Sequence, residues 1–332
     1  MKILSWNCQG LGNPLTVSSL RDQCWRESPN IVFVMETMIS ARELEKIRNS
    51  CGFSSSVCVS SRGRSGGTGL WWRDVDVNLI SYNKNHILVE VLDANKTPVW
   101  QAAGVYGWPE TSNKHKTWDL MRSICENSRV PIVLFGDFNE ILSAQEKDGG
   151  AVRSERQMDA FREAIDDCAL HDLGYRGNVF TWQRGRETET IVRERLDRAL
   201  ATMEWSHMFP NAFVPHYPIY SSDHAAIIIQ EGMGQPRNRG RRGFKFEPFW
   251  VADEQCRGVV REAWEEGFGE SVPAKVSICA AKLTDWAKRR FGDVKRSIRE
   301  REEDLEYWQR QPPSADMLSK CRDIVREVGT EV

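Results

Sequence analysis

A run of apolar residues that ends in polar ones places the strongest limit on how this chain can fold. Residues 130–135 read Val-Pro-Ile-Val-Leu-Phe, and Gly136, Asp137, Phe138 and Asn139 follow them. The β-branched, apolar composition predicts a strand that is buried on both faces. Asp137 and Asn139 are two residues apart, so in an extended backbone they point to the same side. A buried carboxylate is costly unless it is paired or bound to a metal. These residues therefore mark either an ordinary turn or a functional site.

Strands and helices alternate over the rest of residues 1–231. The predicted strands are 2–7, 30–36, 69–72, 75–81, 87–92, 99–106, 132–138, 179–183, 194–200 and 225–230. The predicted helices are 16–27, 40–51, 114–127 and 154–168, the last with Ser154 and Gln157 at the spacing of a capping box. Several strands between residues 69 and 106 follow one another without a helix, which argues against a simple doubly wound fold. We expect an α/β chain with a four-layered sandwich: two packed mixed sheets with outer helices.

Composition narrows the class of protein. The 332 residues suffice for one large domain with an appendage or for two domains, and 40% hydrophobic residues support a sizeable core. The formal net charge is -2, so any binding of nucleic acid must come from a local patch. Nine cysteines without a CxxC pair favour a reducing compartment and argue against structural zinc. No signal peptide or membrane-length apolar run is evident, so we expect an intracellular protein with no membrane partner.

The composition changes at Gly232, which predicts a boundary. Residues 232–243 contain four closely spaced arginines and read as a basic flexible linker, either a solvated spacer or a contact for phosphates. Residues 244–332 are predicted to be helical, chiefly over 253–267 and 275–310, with apolar side chains at a 4-3 spacing. A helical hairpin and a coiled-coil contact both fit this seam. We favour the hairpin because Gly292 interrupts the helix, and oligomerisation through 275–310 has no other support.

Polar residues lie at the ends of four other predicted strands besides the one that ends at Asp137. They are Asn7, Glu36, Asp197, and Asp223 with His224. Carboxylate and amide oxygens suit Mg²⁺, with Mn²⁺ as the alternative cation. Such sites commonly act on phosphates, because the cation neutralises charge that develops on phosphoryl oxygens. A histidine adds a positively charged donor, and a separate Asp can fix its tautomer. Hydrolysis of a phosphoester by an activated water is the reaction that this set of residues predicts.

Seven short motifs in order resemble the endonuclease/exonuclease/phosphatase superfamily. They are Trp6-Asn7, Glu36-Thr37, Val105-Tyr106-Gly107, Gly136-Asp137-Phe138-Asn139, Phe180-Thr181-Trp182, Arg195-Leu196-Asp197-Arg198 and Ser222-Asp223-His224. Within that superfamily, residues 1 to about 230 look like the apurinic-type endonuclease domain of plant LINE (non-LTR) retrotransposons. The segment 244–332 is similar to the connector that precedes the reverse transcriptase in such elements.

The resemblance implies a function and a role for each matched residue. The function is Mg²⁺-dependent nicking of DNA, which would take place in the nucleus. The implied metal ligands are Glu36, Asn7 and Asp223. Among the implied catalytic residues, Asp137 activates the attacking water and Asn139 holds that water or a phosphate oxygen. His224 donates to the scissile phosphate, Asp197 holds His224 in place, and Tyr106 contacts the phosphate. Substrate binding is assigned to Thr181, Trp182, Ser222 and Arg195, of which Trp182 reads either as core or as a DNA-facing surface.

Two other functions remain open at this stage. One is a phosphatase of the same superfamily, against which the LINE-like words around Asn139 and Asp197 argue. The other is a catalytically silent, domesticated module that binds nucleic acid or protein, which the intact motifs disfavour. Outside the motifs, Glu146 and Lys147 read as a solvated loop, Asp172 has no assigned role, and His216 reads as structural or exposed.

Overall fold

The computed structural model describes residues 1–332 except 64–65, 233–243, 245, 247–249, 252 and 332. Most of the predicted linker 232–243 therefore lies outside the described residues. The chain divides into two compact units. The larger unit comprises Met1–Met233 together with Asp304–Thr330, and the smaller unit comprises Gly234–Glu303. Within the described residues, no helix is long and apolar enough to cross a bilayer.

The larger unit contains all the described strands, six of the described helices and the C-terminal end of a seventh. The strands are β1 Lys2–Asn7, β2 Ile31–Met35, β3 Ser55–Val59, β4 Thr68–Trp72, β5 Asp76–Tyr82, β6 His86–Leu92, β7 Pro98–Tyr106, β8 Ile132–Asp137, β9 Lys147–Asp148, β10 Leu170–Asp172, β11 Trp182–Arg184, β12 Val192–Glu194, β13 Asp197–Thr202, β14 Ala212–Phe213 and β15 Ile227–Glu231. The helices are α1 Pro14–Glu27, α2 Ala41–Ser50, α3 His115–Asn127, α4 Glu155–Asp167, α5 Met203–Met208, α6 Glu254–Glu266, α7 Val272–Gln309 and α8 Ala315–Glu331. Of these, α6 and most of α7 belong to the smaller unit.

Two six-stranded sheets form the centre of the larger unit. Their strand orders are β14-β15-β1-β2-β4-β3 and β10-β13-β8-β7-β6-β5. Each sheet is mixed, because β1 pairs with β2 and β7 pairs with β8 in parallel while the other neighbouring strands in both sheets are antiparallel. A smaller sheet has the order β11-β12-β9. The prediction of an α/β fold with two packed mixed sheets is confirmed.

Apolar side chains join the layers of the sandwich. Phe33 of one sheet and Phe135 of the other meet edge to face, with ring centroids 6.1 Å apart. Leu20 of α1 packs in the cluster that covers the outer face of the first sheet. Trp118 of α3 and Phe161 of α4 stack at 4.6 Å over the second sheet. Each fully buried side chain of this size contributes roughly 1.5–3 kcal/mol to stability. The outer helices and the sheets therefore share continuous apolar contacts.

The predicted capping box at Ser154 does not form. Helix α4 begins after Ser154, but the Ser154 side chain makes no capping hydrogen bond. A complete box occurs instead at α2, where Glu43 accepts from the Ser40 backbone at 3.0 Å and its amide donates to Ser40 Oγ. A charged carboxylate is a stronger acceptor than the amide of Gln157, which favours the box at α2.

The hairpin turn predicted at Gly292 is wrong. Helix α7 runs without interruption through Gly292, and the chain reverses instead between α6 and α7. A single glycine costs about 1 kcal/mol relative to alanine inside a helix, which is too little to end a helix of 38 residues. Trp250, Cys256, Leu283 and Trp286 form the apolar cluster that joins the helices of the smaller unit.

Candidate active site

The ends of five strands bring the predicted residues to one edge of the two sheets. Asn7 is the last residue of β1, and Glu36 follows β2, which pairs with β1 in parallel. In the second sheet, Asp137 of β8 lies opposite Tyr106 of β7 on one side and Asp197 of β13 on the other. Parallel strands end at the same edge of a sheet, so these polar side chains converge without any contribution from long loops.

Two residues that carry polar side chains at this edge of the sheets have a strained backbone. Glu36 has φ +51° and Asn139 has φ +56°, both in the left-handed backbone region that residues other than glycine rarely adopt. Gly136 has φ +139°, and a Cβ atom there would lie 2.0 Å from Val105 O. Only glycine fits at 136, because both the conformation and the contact exclude a side chain. Strain of this kind persists where surrounding structure enforces it, and it concentrates at functional sites.

Asn7 links the two sheets at the centre of the cluster. Its Nδ2 donates to Glu36 Oε1 and to Asp137 Oδ2, each at 3.0 Å, and lies 3.4 Å from His224 Nε2. Tyr106 donates its hydroxyl hydrogen to the same Glu36 oxygen at 2.7 Å. Asn7 Oδ1 is buried and accepts no hydrogen bond from any residue that the structure describes. This carbonyl oxygen is therefore available to a ligand.

Asp137 is held by the residues that follow it. The Asn139 amide donates to Asp137 Oδ1 at 2.8 Å, and Asn139 Nδ2 lies 3.2 Å from Oδ2. The buried Lys114 donates to Asn139 O at 2.7 Å and to Glu140 at 2.6 Å. Burial raises the pKa of Asp137 to about 7, although His224 opposes the rise. Asp137 can therefore exchange a proton near neutral pH.

His224 and Asp197 form a buried ion pair beside Asp137. His224 Nδ1 lies 2.8 Å from Asp197 Oδ2, and His224 Nε2 lies 3.8 Å from Asp137 Oδ2. Burial alone would lower the pKa of His224, but Asp197 and Asp137 raise it to about 10. The imidazole is thus protonated at neutral pH, with Nδ1 held by Asp197 and Nε2 directed toward the other polar residues. Thr181 Oγ1 supports Asp197 by accepting a hydrogen bond from the Asp197 backbone amide at 2.9 Å.

Asp223 directly precedes His224 and is held by a tryptophan. Trp182 Nε1 donates to Asp223 Oδ2 at 3.0 Å, and Gln9 Nε2 donates to the same oxygen at 2.8 Å. Asp223 Oδ1 is buried and has no partner among the described residues. Ser222 Oγ donates to Asn7 O at 2.8 Å and accepts the His224 amide at 3.1 Å. Ser222 therefore fixes the loop that carries Asp223 and His224.

The donor atoms of the cluster fit a hard divalent cation. Asp137, Asp197 and His224 each offer a ligand atom within 4.8 Å of the others. However, the His224 Nδ1 and Asp197 oxygens already bond to each other, so this trio is better described as an ion pair beside a carboxylate. The unpartnered Oδ1 of Asn7 and the Glu36 carboxylate, which accepts from Asn7 Nδ2, are oxygen donors of the kind that Mg²⁺ or Mn²⁺ prefers.

The structure does not bring Arg195 to this cluster. Its guanidinium group is buried and donates to Glu146 and to Asp172, each at 2.8 Å. Arg198 completes a four-membered network by donating to Glu146 Oε2 at 2.7 Å and to Asp172 Oδ2 at 2.8 Å. The prediction that Glu146 lies in a solvated loop is wrong: it is buried and accepts from both arginines, and its neighbour Lys147 pairs with Glu194. His216, which was predicted to be either structural or exposed, is buried.

Three residues at the site were not selected from the sequence. Trp6 Nε1 donates to His224 O at 3.1 Å, Gln9 holds Asp223, and Lys114 holds Asn139 O. Trp6 and Gln9 flank Asn7 in the chain, so their position in that motif was an available signal. Lys114 precedes α3 and belongs to none of the motifs. Its contact with Asn139 O depends on a chain reversal that the local sequence does not encode.

Two packed mixed sheets with outer helices, and carboxylates, an amide and a histidine at the strand ends, define an α/β sandwich with a candidate hydrolytic site. The chain belongs to the endonuclease/exonuclease/phosphatase family, whose model matches residues 4–224. No curated protein matches the chain.

Solved structures support the same fold. An AP endonuclease from Archaeoglobus fulgidus is 16% identical, with a TM-score of 0.54, and the match covers 70% of this chain and 100% of that one. A 3′-5′ exonuclease (NExo) from Neisseria meningitidis is 18% identical, with a TM-score of 0.52 and coverage of 70% and 100%. The endonuclease domain of TRAS1, a telomere-specific non-LTR retrotransposon, is 14% identical, with a TM-score of 0.51 and coverage of 70% and 99%.

Proposed function

We propose that this chain is a Mg²⁺-dependent endonuclease that nicks DNA by hydrolysing a phosphodiester bond, in the manner of LINE retrotransposon endonucleases. The buried His224–Asp197 pair next to Asp137 is the observation that carries the proposal. It places a protonated donor and a carboxylate with a pKa of about 7 within 4 Å of each other. The names of the similar structures, an AP endonuclease and a retrotransposon endonuclease domain, favour DNA as the substrate.

Asp137 is the residue that accepts the proton from the attacking water. Its pKa of about 7 means that a substantial fraction is ionised at neutral pH, while its basicity is far greater than that of an ordinary aspartate. The Asn139 amide fixes one carboxylate oxygen, and Asn139 Nδ2 lies near the other. Asn139 therefore orients the carboxylate and is placed to hold the water or a phosphate oxygen.

His224 stabilises negative charge on the scissile phosphate. Asp197 engages Nδ1, which leaves the Nε2 hydrogen to donate to a phosphoryl oxygen. Asp197 thus acts through His224 and keeps its ring charged and oriented. Tyr106 donates to Glu36 in the free protein and is placed to donate to a phosphate when substrate is bound.

Glu36 and Asn7 would hold the divalent cation, and the unpartnered Oδ1 of Asp223 would be a further oxygen donor. When bound, the cation would supply neutralisation of the charge on the phosphoryl oxygens. Mg²⁺ fits the all-oxygen donor set, and Mn²⁺ accepts the same ligands.

DNA would contact the surface beside Trp182. Trp182 is half-buried, and the exposed Arg184 and Arg186 lie in the same hairpin, where they can approach phosphates. Ser222 is partly exposed beside the site, whereas Thr181 is buried and supports the site from within. Arg195 is committed to its ion pairs, so we assign it no part in binding DNA. As an endonuclease of the LINE retrotransposon type, the chain would act on chromosomal DNA in the nucleus.

A plasmid assay tests the proposal. Purified protein is incubated with supercoiled plasmid in Mg²⁺, in Mn²⁺ and in EDTA. We expect nicking that requires the cation and falls by about 100-fold or more in Glu36→Ala and His224→Ala. His207→Ala removes an exposed histidine of α5 and serves as the matched control, with nicking retained.

Two outcomes would replace the proposal. If no cation or salt concentration supports nicking while DNA is still retained in a filter-binding assay, the chain is a binding module. If the protein releases phosphate from small phosphomonoesters but leaves plasmid intact, it is a phosphatase of the same family.

A further inference from the structure

The C-terminal segment of the larger unit contacts two chain segments that flank the candidate site. We infer that this segment, residues 304–330, is a positioning element for substrate, and we call it the C-terminal brace. It holds the hairpin formed by β11 and β12, and it holds residues 217–221, which lead into Ser222, Asp223 and His224. The consequence for catalysis rests on the proposed function, whereas the structural coupling can be measured without it.

Gln309 binds the segment before Ser222. Its side chain is 5% exposed, its Nε2 donates to Ile219 O at 2.6 Å, and its Oε1 accepts the Ile219 amide at 3.0 Å. One carboxamide thus pairs with both backbone groups of one residue, as a neighbouring strand would. Ile219 precedes Ser222 by only three residues, so this contact fixes the loop that carries His224.

Arg193 binds the end of α7 to the hairpin. It lies in β12, is 4% exposed, and donates from Nη1 to Gln309 O at 3.0 Å and to Gln311 O at 2.9 Å. The last carbonyl groups of a helix have no partner within the helix and carry partial negative charge, so a buried cation there is stabilising. Arg193 Nε also donates to Asp148 of β9 at 3.1 Å. The small sheet and the C-terminal brace therefore share one guanidinium group.

Apolar contacts extend the same interface. Ile191, at the start of the returning hairpin strand, is buried with Met317 and Leu318 of α8, and Trp308 packs against them. Near the hairpin turn, Arg322 donates to Arg186 O at 3.4 Å. The hairpin is thus held both near its turn and at its base.

The hairpin leads directly to the candidate site. Trp182 begins β11, forms a backbone bridge with His224, and donates from its indole nitrogen to Asp223. Movement of the hairpin would therefore displace Trp182 and the acid that it holds. Because Arg184 and Arg186 share the hairpin, the C-terminal brace also sets where these positive charges meet a phosphate backbone.

Hydrogen exchange of the full chain tests the coupling. Gln309→Ala removes both bonds to Ile219, whereas Gln311→Ala is the matched control, because Gln311 contacts Arg193 only through its backbone carbonyl. We expect amide exchange in 217–221 to rise about fivefold or more in Gln309→Ala and to stay within about twofold in Gln311→Ala. Exchange in 183–193 should rise by a similar factor in Leu318→Asp, which disrupts the apolar contact with Ile191. Equal exchange in parent and Gln309→Ala would overturn the inference.

Nicking kinetics separate positioning from stability. We expect Gln309→Ala to raise KM for plasmid about three- to tenfold with kcat within about twofold, because bound substrate restores the order that the loop carrying His224 loses in the free protein. Leu318→Asp, which disrupts the apolar contact, should act in the same direction. Raised exchange with an unchanged KM in both variants would overturn the positioning role. If the parent does not nick, the proposed function fails, and the exchange result still decides whether the C-terminal brace holds the hairpin.

Discussion

Two buried charge clusters lie close together along β13 and differ in how completely their charges are paired. In one, Arg195 and Arg198 each bond to both Glu146 and Asp172, so two cations match two anions. In the other, a single charged histidine faces both Asp197 and Asp137. Burial alone would raise the pKa of Glu146 and of Asp172, but the arginines outweigh it and lower both. The pKa of Asp137 is raised instead.

The difference separates a cluster that stabilises the fold from one that can react. In the arginine cluster, pairing with the two guanidinium groups holds the pKa of Glu146 and of Asp172 below their usual range. Incomplete pairing leaves Asp137 with a pKa of about 7 and leaves buried oxygens of Asn7 and Asp223 without partners among the described residues. Arg195 Nε and Arg198 Nε are also buried without a partner among the described residues, so the raised pKa of Asp137 is the feature that separates the two clusters. A carboxylate perturbed in this way is typical of a functional site.

Asp137→Asn gives the largest expected effect on activity. The substitution keeps the shape of the side chain but removes the proton acceptor, so we expect kcat for plasmid nicking to fall about 10³- to 10⁴-fold. Asp159→Asn on the exposed face of α4 is the control and should retain activity. A loss below tenfold at Asp137 would mean that another group takes the proton from water.

Arg198→Met gives the largest expected effect on stability. It leaves Glu146 and Asp172 buried with one cation fewer, so the free energy of unfolding should fall by about 3–5 kcal/mol in urea titrations. Arg122→Met removes the partially exposed pair with Asp167 and should cost less than about 1 kcal/mol. If Arg198→Met instead abolished nicking without lowering stability, the distinction between the two clusters would be wrong.

Asp197→Asn should have a smaller effect on activity than Asp137→Asn. Asp197 orients and charges His224 without touching substrate, so we expect a loss of about 10- to 100-fold in kcat. The carboxamide oxygen that replaces the carboxylate can still accept a hydrogen bond from His224 Nδ1, but it no longer stabilises the positive charge on the ring. The pKa of His224, measured by NMR, should therefore fall together with kcat. An equal or greater loss of activity than at Asp137 would contradict the positioning role.

Acidity should affect the arginine cluster through its carboxylates. The pKa values of Glu146 and Asp172 are lowered in the folded protein, so their contribution to stability is present above the unfolded values and is lost as pH falls through the folded ones. We expect the free energy of unfolding to decline more steeply below pH 5 in the parent than in Glu146→Gln, whose stability is already lower at pH 7. Parallel curves would show that these carboxylates are not linked to acid unfolding.

The fold and the convergence of the site could be predicted because both follow from short stretches of sequence. Buried strands appear as apolar runs, and strand ends that meet at one edge place Asn7, Glu36 and Asp137 together. Arg195 shows where such reasoning stops. In a continuous strand over 194–200, the Arg195 side chain would point to the same side as that of Asp197. The chain instead leaves the strand pairing between β12 and β13, and the Arg195 amide donates to Glu146 O. Neither that break nor the pairing with Glu146, 49 residues earlier, has a local signal.

The conformation at Gly136 offers a way to sort related sequences before any of them is assayed. A substitution there would force a side chain against the backbone of β7, and the two strands that carry Tyr106 and Asp137 would separate. A relative with every polar residue intact but without this glycine should therefore be expressed as an aggregate or be lost to proteolysis. A relative that keeps the glycine but has lost Asp137 should remain a folded protein without catalysis. One position thus reports whether a family member has lost its fold or only its chemistry.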